Sequence, residues 1–336
     1  MNIKKAYSFD DVLLTPLESG IESRSEIDLT SGNEKLKLSL PIISSPMDTV
    51  TEVGMASVMN MFGGIGVIHR YNTIQEQVKM CSQGGWRRAA AVGVSGDYLE
   101  RSQAIYESGI RTLCLDVAHG HHHLMKDALG ELKSLFGDDV NLMAGNVATL
   151  EAFNDLSDWG ADMIRVGIGG GSICSTRIQT GHGVPTFQSI LDCSASDRES
   201  LLIADGGIKN SGDIVKAFAA GADFVMLGSI LAGTDESPGS VFESGNGKKY
   251  KVYRGMASVE AQVDWRGEAR SLEGISTTIP YKGSVKAILD ALRQNIKSGL
   301  SYSGSRNISE LQSKARFIMQ TTAGQHESNT HILNVR

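Results

Sequence analysis

Leu201-Leu202-Ile203-Ala204-Asp205-Gly206-Gly207-Ile208 is the stretch on which the fold turns. Four apolar residues in a row leave no polar face, so a strand here is buried on both sides. It stops at an acidic residue and two glycines, a combination that punctuates rather than continues a strand. The same pattern lies on either side: residues 163–168 run into Gly169-Gly170-Gly171, and residues 224–230 contain Leu227-Gly228-Ser229. Further out, the segments 40–44, 64–69, 89–94, 112–117 and 140–147 repeat it. Amphipathic stretches at 51–62, 73–81, 97–108, 150–159 and 211–220 separate most of them and predict helices. Strands alternating with helices predict a parallel sheet. Eight of them fit a closed (β/α)₈ TIM barrel better than a doubly wound open sheet. Residues 1–336 thus read as a single barrel domain of the α/β class with no inserted domain. Beyond about residue 240, the segment 243–249 predicts a hairpin or flap, 286–298 a helix, and 325–336 a polar tail without helical periodicity.

Composition narrows the function classes. Hydrophobic residues make up 41% and charged residues 21%, with a net charge of -6. A nucleic-acid surface needs a basic stripe, and none is present. No apolar run is long enough to cross a bilayer, and residues 1–10 lack the apolar core of a signal peptide. Cys81, Cys114, Cys174 and Cys193 show no CxxC pairing and no zinc spacing, so a reduced, cytoplasmic protein with free thiols is expected. Glycine is the unusual count: 38 residues, clustered in apolar stretches, as expected where backbone approaches a ligand.

In a barrel of this kind the chemistry sits at the carboxyl ends of the strands. Gly167-Ile168-Gly169-Gly170-Gly171-Ser172-Ile173-Cys174-Ser175-Thr176-Arg177 follows the sixth strand. Its bare main chain converges N–H groups on an anion or carbonyls on a cation, and dipoles there favour a thiolate at Cys174. Asp205-Gly206-Gly207 and Gly228-Ser229 follow strands seven and eight, the usual phosphate corner, with Asp205 placed for ribose hydroxyls. His119, His121, His122 and His123 follow the fourth strand, but four histidines in one loop rarely face one ion, and no carboxylate cluster accompanies them. Asp116, at that strand's end, is the expected functional residue there.

These motifs together resemble the family that contains inosine monophosphate dehydrogenase and guanosine monophosphate reductase. Phe9–Leu14, Met47–Glu52, Gly63–His69, Ala144–Val147, Tyr253–Met256 and Pro280–Gly283 carry the resemblance, which runs from about residue 7 to 331. It implies that Cys174 adds to purine C2 of a 5′-monophosphate, with Thr176 near the reacting carbon and Glu273 handling protons. Ser44, Met47, Ser172, Asp205, Gly207, Gly228, Ser229, Tyr253, Gly255 and Met256 resemble the nucleotide contacts. Asp116, Asn146 and Arg165 resemble contacts to a nicotinamide dinucleotide. Carbonyls of Gly169, Gly171 and Cys174 resemble a monovalent-cation (potassium) site, completed by a neighbour's Glu327 and Ser328 in a homotetramer.

Departures from the family pattern choose the direction. The dehydrogenases insert a regulatory pair of small domains between strands two and three, and residues 71–88 leave no room for one. Only sixteen residues separate Met256 from Glu273, and they hold Arg266 and Arg270 but no Arg-Tyr pair to activate water. Both features imply the reductive reaction, GMP to IMP and ammonia with NADPH. Val94, where reductases carry a threonine, and the dehydrogenase-like segments 48–52 and 324–328 imply instead an IMP dehydrogenase that uses NAD. A catalytically dead nucleotide sensor is the third reading, and the intact Cys174, Thr176 and Glu273 argue against it.

Overall fold

A computed structural model describes residues 3–83, 88–270 and 272–330. Eight parallel strands close into a barrel: β1 (Ile42–Ser44), β2 (Ile65–Ile68), β3 (Arg88–Val92), β4 (Thr112–Asp116), β5 (Asn141–Val147), β6 (Met163–Val166), β7 (Leu201–Asp205) and β8 (Phe224–Leu227). β8 pairs with β1, so the sheet has no edge and the open-sheet alternative falls. The strands match the expected eight segments; β1 and β5 end where expected, at Ser44 and Val147, and the other six stop earlier. β7 ends at Asp205 because Gly206 and Gly207 take φ of +92° and +78°, which no strand continues.

Helices α1 (Val53–Met61), α2 (Ile74–Ser82), α3 (Tyr98–Glu107), α4 (His123–Phe136), α5 (Leu150–Asp158), α6 (Thr186–Cys193), α7 (Ser211–Ala219) and α8 (Val285–Tyr302) wrap the barrel. Their starts follow from capping: Thr73, Thr149, Asn210 and Ser284 each accept a hydrogen bond from an N–H of the first turn. Two cores result. An inner one, with Ile43, Ile65, Val67, Ala89, Ala91, Cys114, Met143, Met163, Ile203, Phe224 and Met226, plugs the barrel, and Leu36 and Leu38 pack against it from the amino-terminal hairpin. The larger core lies between strands and helices.

The base of the barrel carries a small internal repeat. Gly160-Ala161-Asp162 precedes β6 and Gly221-Ala222-Asp223 precedes β8. Asp162 accepts the Leu142 N–H at 2.8 Å, and Asp223 accepts the Leu202 N–H at 2.7 Å, so each carboxylate latches the preceding strand. Burial pushes the Asp223 carboxyl up to about 6 against the pull of that hydrogen bond.

Past the barrel, Phe242–Glu243 pairs with Lys249–Arg254 as the expected hairpin, and Ser276–Pro280 adds a third strand. The tail departs from expectation. Thr321 caps a short helix, Thr322–Glu327, where no helix was expected, and residues 331–336 of that expected tail lie outside the described residues. Among the described residues, no helix is long and apolar enough to cross a membrane.

Candidate active site

Strand parity builds the floor of the site. Side chains alternate, so residues two beyond the inner plug also point inward, one layer nearer the carboxyl ends. That layer holds Asp116 above Cys114, Arg165 above Met163, Asp205 above Ile203 and Gly228 above Met226. It is polar where the plug is apolar. Arg165 is buried and spans the barrel, donating to Asp116 Oδ1 at 2.5 Å and to Asp205 Oδ2 at 2.9 Å. Burial opposes its charge, but Cys114, Asp116 and Asp205 more than offset this, and its pKa stands well above the usual value. Asn146 donates to the same Asp205 Oδ2 at 2.8 Å. The residues expected to contact two different ligands therefore form one network.

An open cleft of about 820 Å³ lies over this floor. Met47, Ser172, Gly207, Gly228, Ser229, Tyr253, Gly255 and Met256 line it, together with Asp116, Asn146, Arg165 and Asp205. At Gly228 the wall is so close that a Cβ would stand 3.2 Å from both Ser45 Oγ and the Tyr253 hydroxyl. A Cβ on Gly206 would meet Gly171 N at 3.1 Å, so the loops after β6 and β7 touch through glycines. Tyr253 is buried and hydrogen-bonded to Ser172, and burial pushes its phenol up.

Cys174 stands on the same wall in a proton-bearing line. Its Sγ lies 3.1 Å from Thr176 Oγ1, and Thr176 donates to Glu273 Oε2 at 2.8 Å. Main-chain bonds fix the line: Ser175 N donates to Glu273 O at 2.9 Å, and Ile275 N to Ile173 O at 3.1 Å. The threonine has one hydroxyl proton. If it goes to the carboxylate, the thiol donates to the threonine, and a two-proton shift yields thiolate and carboxylic acid. The other cysteines are buried, and burial pushes Cys114 and Cys193 up to about 12. Cys174 alone is partly exposed.

A model of the IMP dehydrogenase / GMP reductase domain matches residues 6–331. The chain belongs to that family. Members of the family are nicotinamide-dependent oxidoreductases acting on purine monophosphates. An inosine-5′-monophosphate dehydrogenase of Nitrosopumilus maritimus is 33% identical over 98% of this chain and 99% of its own length. A GMP reductase of Leishmania major is 36% identical over 96% of this chain and 66% of its own length. Among solved structures, a Cys-to-Ala variant of a Trypanosoma brucei GMP reductase, in complex with guanosine 5′-monophosphate, superimposes with a TM-score of 0.92. It is 31% identical over 98% of both chains.

Within this family member not every expected residue reaches the cleft. Ser44 does not: it is fully buried and accepts the Thr51 hydroxyl at 2.8 Å on the outer side of β1. Ser45, one residue on, has the inward parity and lines the cleft, its buried hydroxyl without a partner. Val94 packs on the core rather than the cleft, and Ser95 is exposed away from it. The histidine tract is spent on structure: His122 caps α4, and His121 contacts Asp155 at 2.8 Å and stacks on Trp159. Glu327 and Ser328 do not line the cleft; Gln320 ties their segment to Asp10 and Asp11. In the Gly169 loop, Gly171 O accepts the Cys174 N–H, and Arg177 donates to Ile168 O and Val184 O. Of the three carbonyls expected to hold a cation, Gly171 O thus already accepts one hydrogen bond.

Lys209 and Asp10 were not expected and line the cleft as an ion pair at 2.6 Å. Lys209 directly follows Asp205–Ile208, a signal the sequence offered. Arg70, Tyr71 and Gln262 also line it, and nothing in their spacing announced them.

Proposed function

We propose that this chain is a GMP reductase in a single barrel domain, converting GMP to IMP and ammonia with NADPH. The Cys174–Thr176–Glu273 line carries the reading. The Gly207, Gly228 and Ser229 backbone receives the 5′-phosphate, Asp205 the ribose, and Met47, Gly255 and Met256 the purine edge. Cys174 bonds to C2 as its proton passes through Thr176 to Glu273. Glu273 then returns that proton to the 2-amino group, which leaves as ammonia while the S–C2 bond remains. The reduced nicotinamide supplies a hydride to C2 when it is bound, and the Cys174 thiolate departs to give IMP. Asp116, Asn146 and Arg165 hold the floor between the two ligands.

The short flap supports this direction. Its helix Val259–Arg266 is pinned: Arg254 binds Asp264 at 2.6 Å and Asp48 at 2.7 Å, and Trp265 stacks on Tyr71. A dehydrogenase must swap cofactor for activated water at this place, which calls for a long mobile element. The second reading, IMP dehydrogenase with NAD, rests on the relatives of that name. Initial rates separate them. We expect GMP-dependent oxidation of NADPH. Robust IMP-dependent reduction of NAD, without any GMP-dependent oxidation of reduced nicotinamide, would overturn the assignment.

The proposal extends to a cytoplasmic homotetramer in which a neighbour's Glu327 and Ser328 complete a potassium site with the Gly169, Gly171 and Cys174 carbonyls. Removing residues 324–336 should then weaken activation by potassium several-fold. An unchanged potassium response in the truncated protein would refute it.

A further inference from the structure

The cleft wall carries guanidiniums away from the phosphate corner. The phosphate corner sits over β7 and β8, whereas the opposite rim, above β2 and β4, is built from Arg70, Tyr71 and the flap residue Arg266, with Trp265 behind them. Tyr71 and Trp265 stack at 4.1 Å with an interplanar angle of 12°. The Arg266 guanidinium lies 4.3 Å from the Trp265 ring, and Arg70 lies 5.3 Å from that ring and 5.6 Å from Tyr71. Stacking occupies the face of a guanidinium and leaves its N–H edge free to fork onto an oxyanion.

The ion pairs around this stack leave two guanidiniums out. The nearby carboxylates are already taken: Asp116 by Arg165, Asp48 and Asp264 by Arg254, and Glu268 by Arg270. Among the described residues, Arg70 and Arg266 have no carboxylate partner. Arg70 donates to the Asp116 carbonyl at 3.2 Å, while its Nε is buried with no acceptor. A buried donor left unmet is costly, and two guanidiniums without an ion-pair partner on one cleft wall fit an anionic ligand that supplies the acceptors.

We infer that Arg70 and Arg266 anchor a phosphate of the dinucleotide, with Tyr71 and Trp265 holding the two guanidiniums in place. This rests on the reading that the second ligand is a nicotinamide dinucleotide. The anchor lies at the far end of the cleft from the mononucleotide phosphate, so each ligand has its own anion site and the two reacting ends meet over Arg165. The flap helix thereby acts as a clasp for the cofactor.

The test measures binding. Cys174→Ala protein, which cannot turn over, is saturated with GMP and titrated calorimetrically with NADPH and with NADH, before and after adding Arg266→Ala. Loss of a charge-assisted phosphate contact should weaken affinity roughly tenfold, and 0.5 M salt should shrink that difference. A loss confined to NADPH assigns the ribose 2′-phosphate, and an equal loss for both assigns the bridging pyrophosphate; either supports the anchor. Unchanged affinity for both cofactors overturns it, as does a parallel loss of GMP binding, which would mark a general disturbance of the site. Because no turnover is required, a wrong reaction direction leaves this result intact and shows only in the rate assay. If neither cofactor binds the parent protein, the underlying reading and the anchor fall together.

Discussion

Replacing Cys174 by alanine should abolish turnover, by about a thousandfold or more, while leaving GMP affinity within about tenfold of the parent. The asymmetry follows from where the contacts lie. On the proposed reading the phosphate sits on main chain after β7 and β8 and the ribose on Asp205, and none of these cleft-lining groups depends on the thiol. On the same reading Cys174 contributes a single atom, the sulfur that bonds to the reacting carbon. No other cysteine can replace it: Cys81, Cys114 and Cys193 are all buried, and Cys114 lies beneath Arg165 in the floor. Steady-state rates beside calorimetric GMP binding check both halves. Substantial residual turnover would remove Cys174 as nucleophile, and a collapse of GMP binding would place it in the binding site instead.

Glu273→Gln should separate the two chemical steps. Glutamine keeps an oxygen that accepts the Thr176 hydroxyl at the 2.8 Å position, but it cannot take or return a proton. Deamination of GMP needs that proton and should slow by about 10²-fold or more. The hydride step needs Glu273 only to take the thiol proton, whereas deamination also needs it to return that proton to the leaving amino group, so the hydride step should lose less. Mixing the variant with IMP and NADP⁺ runs the hydride step backwards to the same thioether-linked purine, and a single burst of NADPH should persist. Equal losses in the GMP rate and the burst would remove Glu273 as the acid of deamination and leave it only taking the thiol proton or shaping the loop.

Much of this was legible in the sequence, for a definite physical reason. Strands buried on both faces are continuous apolar runs, and those runs end where Asp205-Gly206-Gly207 or Gly228-Ser229 must leave the sheet. The residues at those ends could therefore be named one by one. The error at Ser44 is one of parity: the run ends there, but the side chain that turns inward belongs to Ser45. The Asp116–Arg165–Asp205 network was invisible because it depends on barrel closure, which brings β4, β6 and β7 side chains across the same lumen. Tyr71 and Trp265 lie far apart in the chain and meet only because the flap helix folds back over the rim. No periodicity encodes such a contact. The tail helix was missed because its six residues carry no apolar stripe, and its start is set by the Thr321 cap.

A covalent bond between Cys174 and purine C2 can be seen directly. Wild-type protein is mixed with IMP and NADP⁺, quenched in acid within the burst, digested and mapped by mass spectrometry. A purine nucleotide is expected on the peptide carrying Cys174, and none in the Cys174→Ala protein. Catalytic turnover of GMP with no nucleotide on Cys174 at any quench time, or with the nucleotide on a different residue, would contradict it.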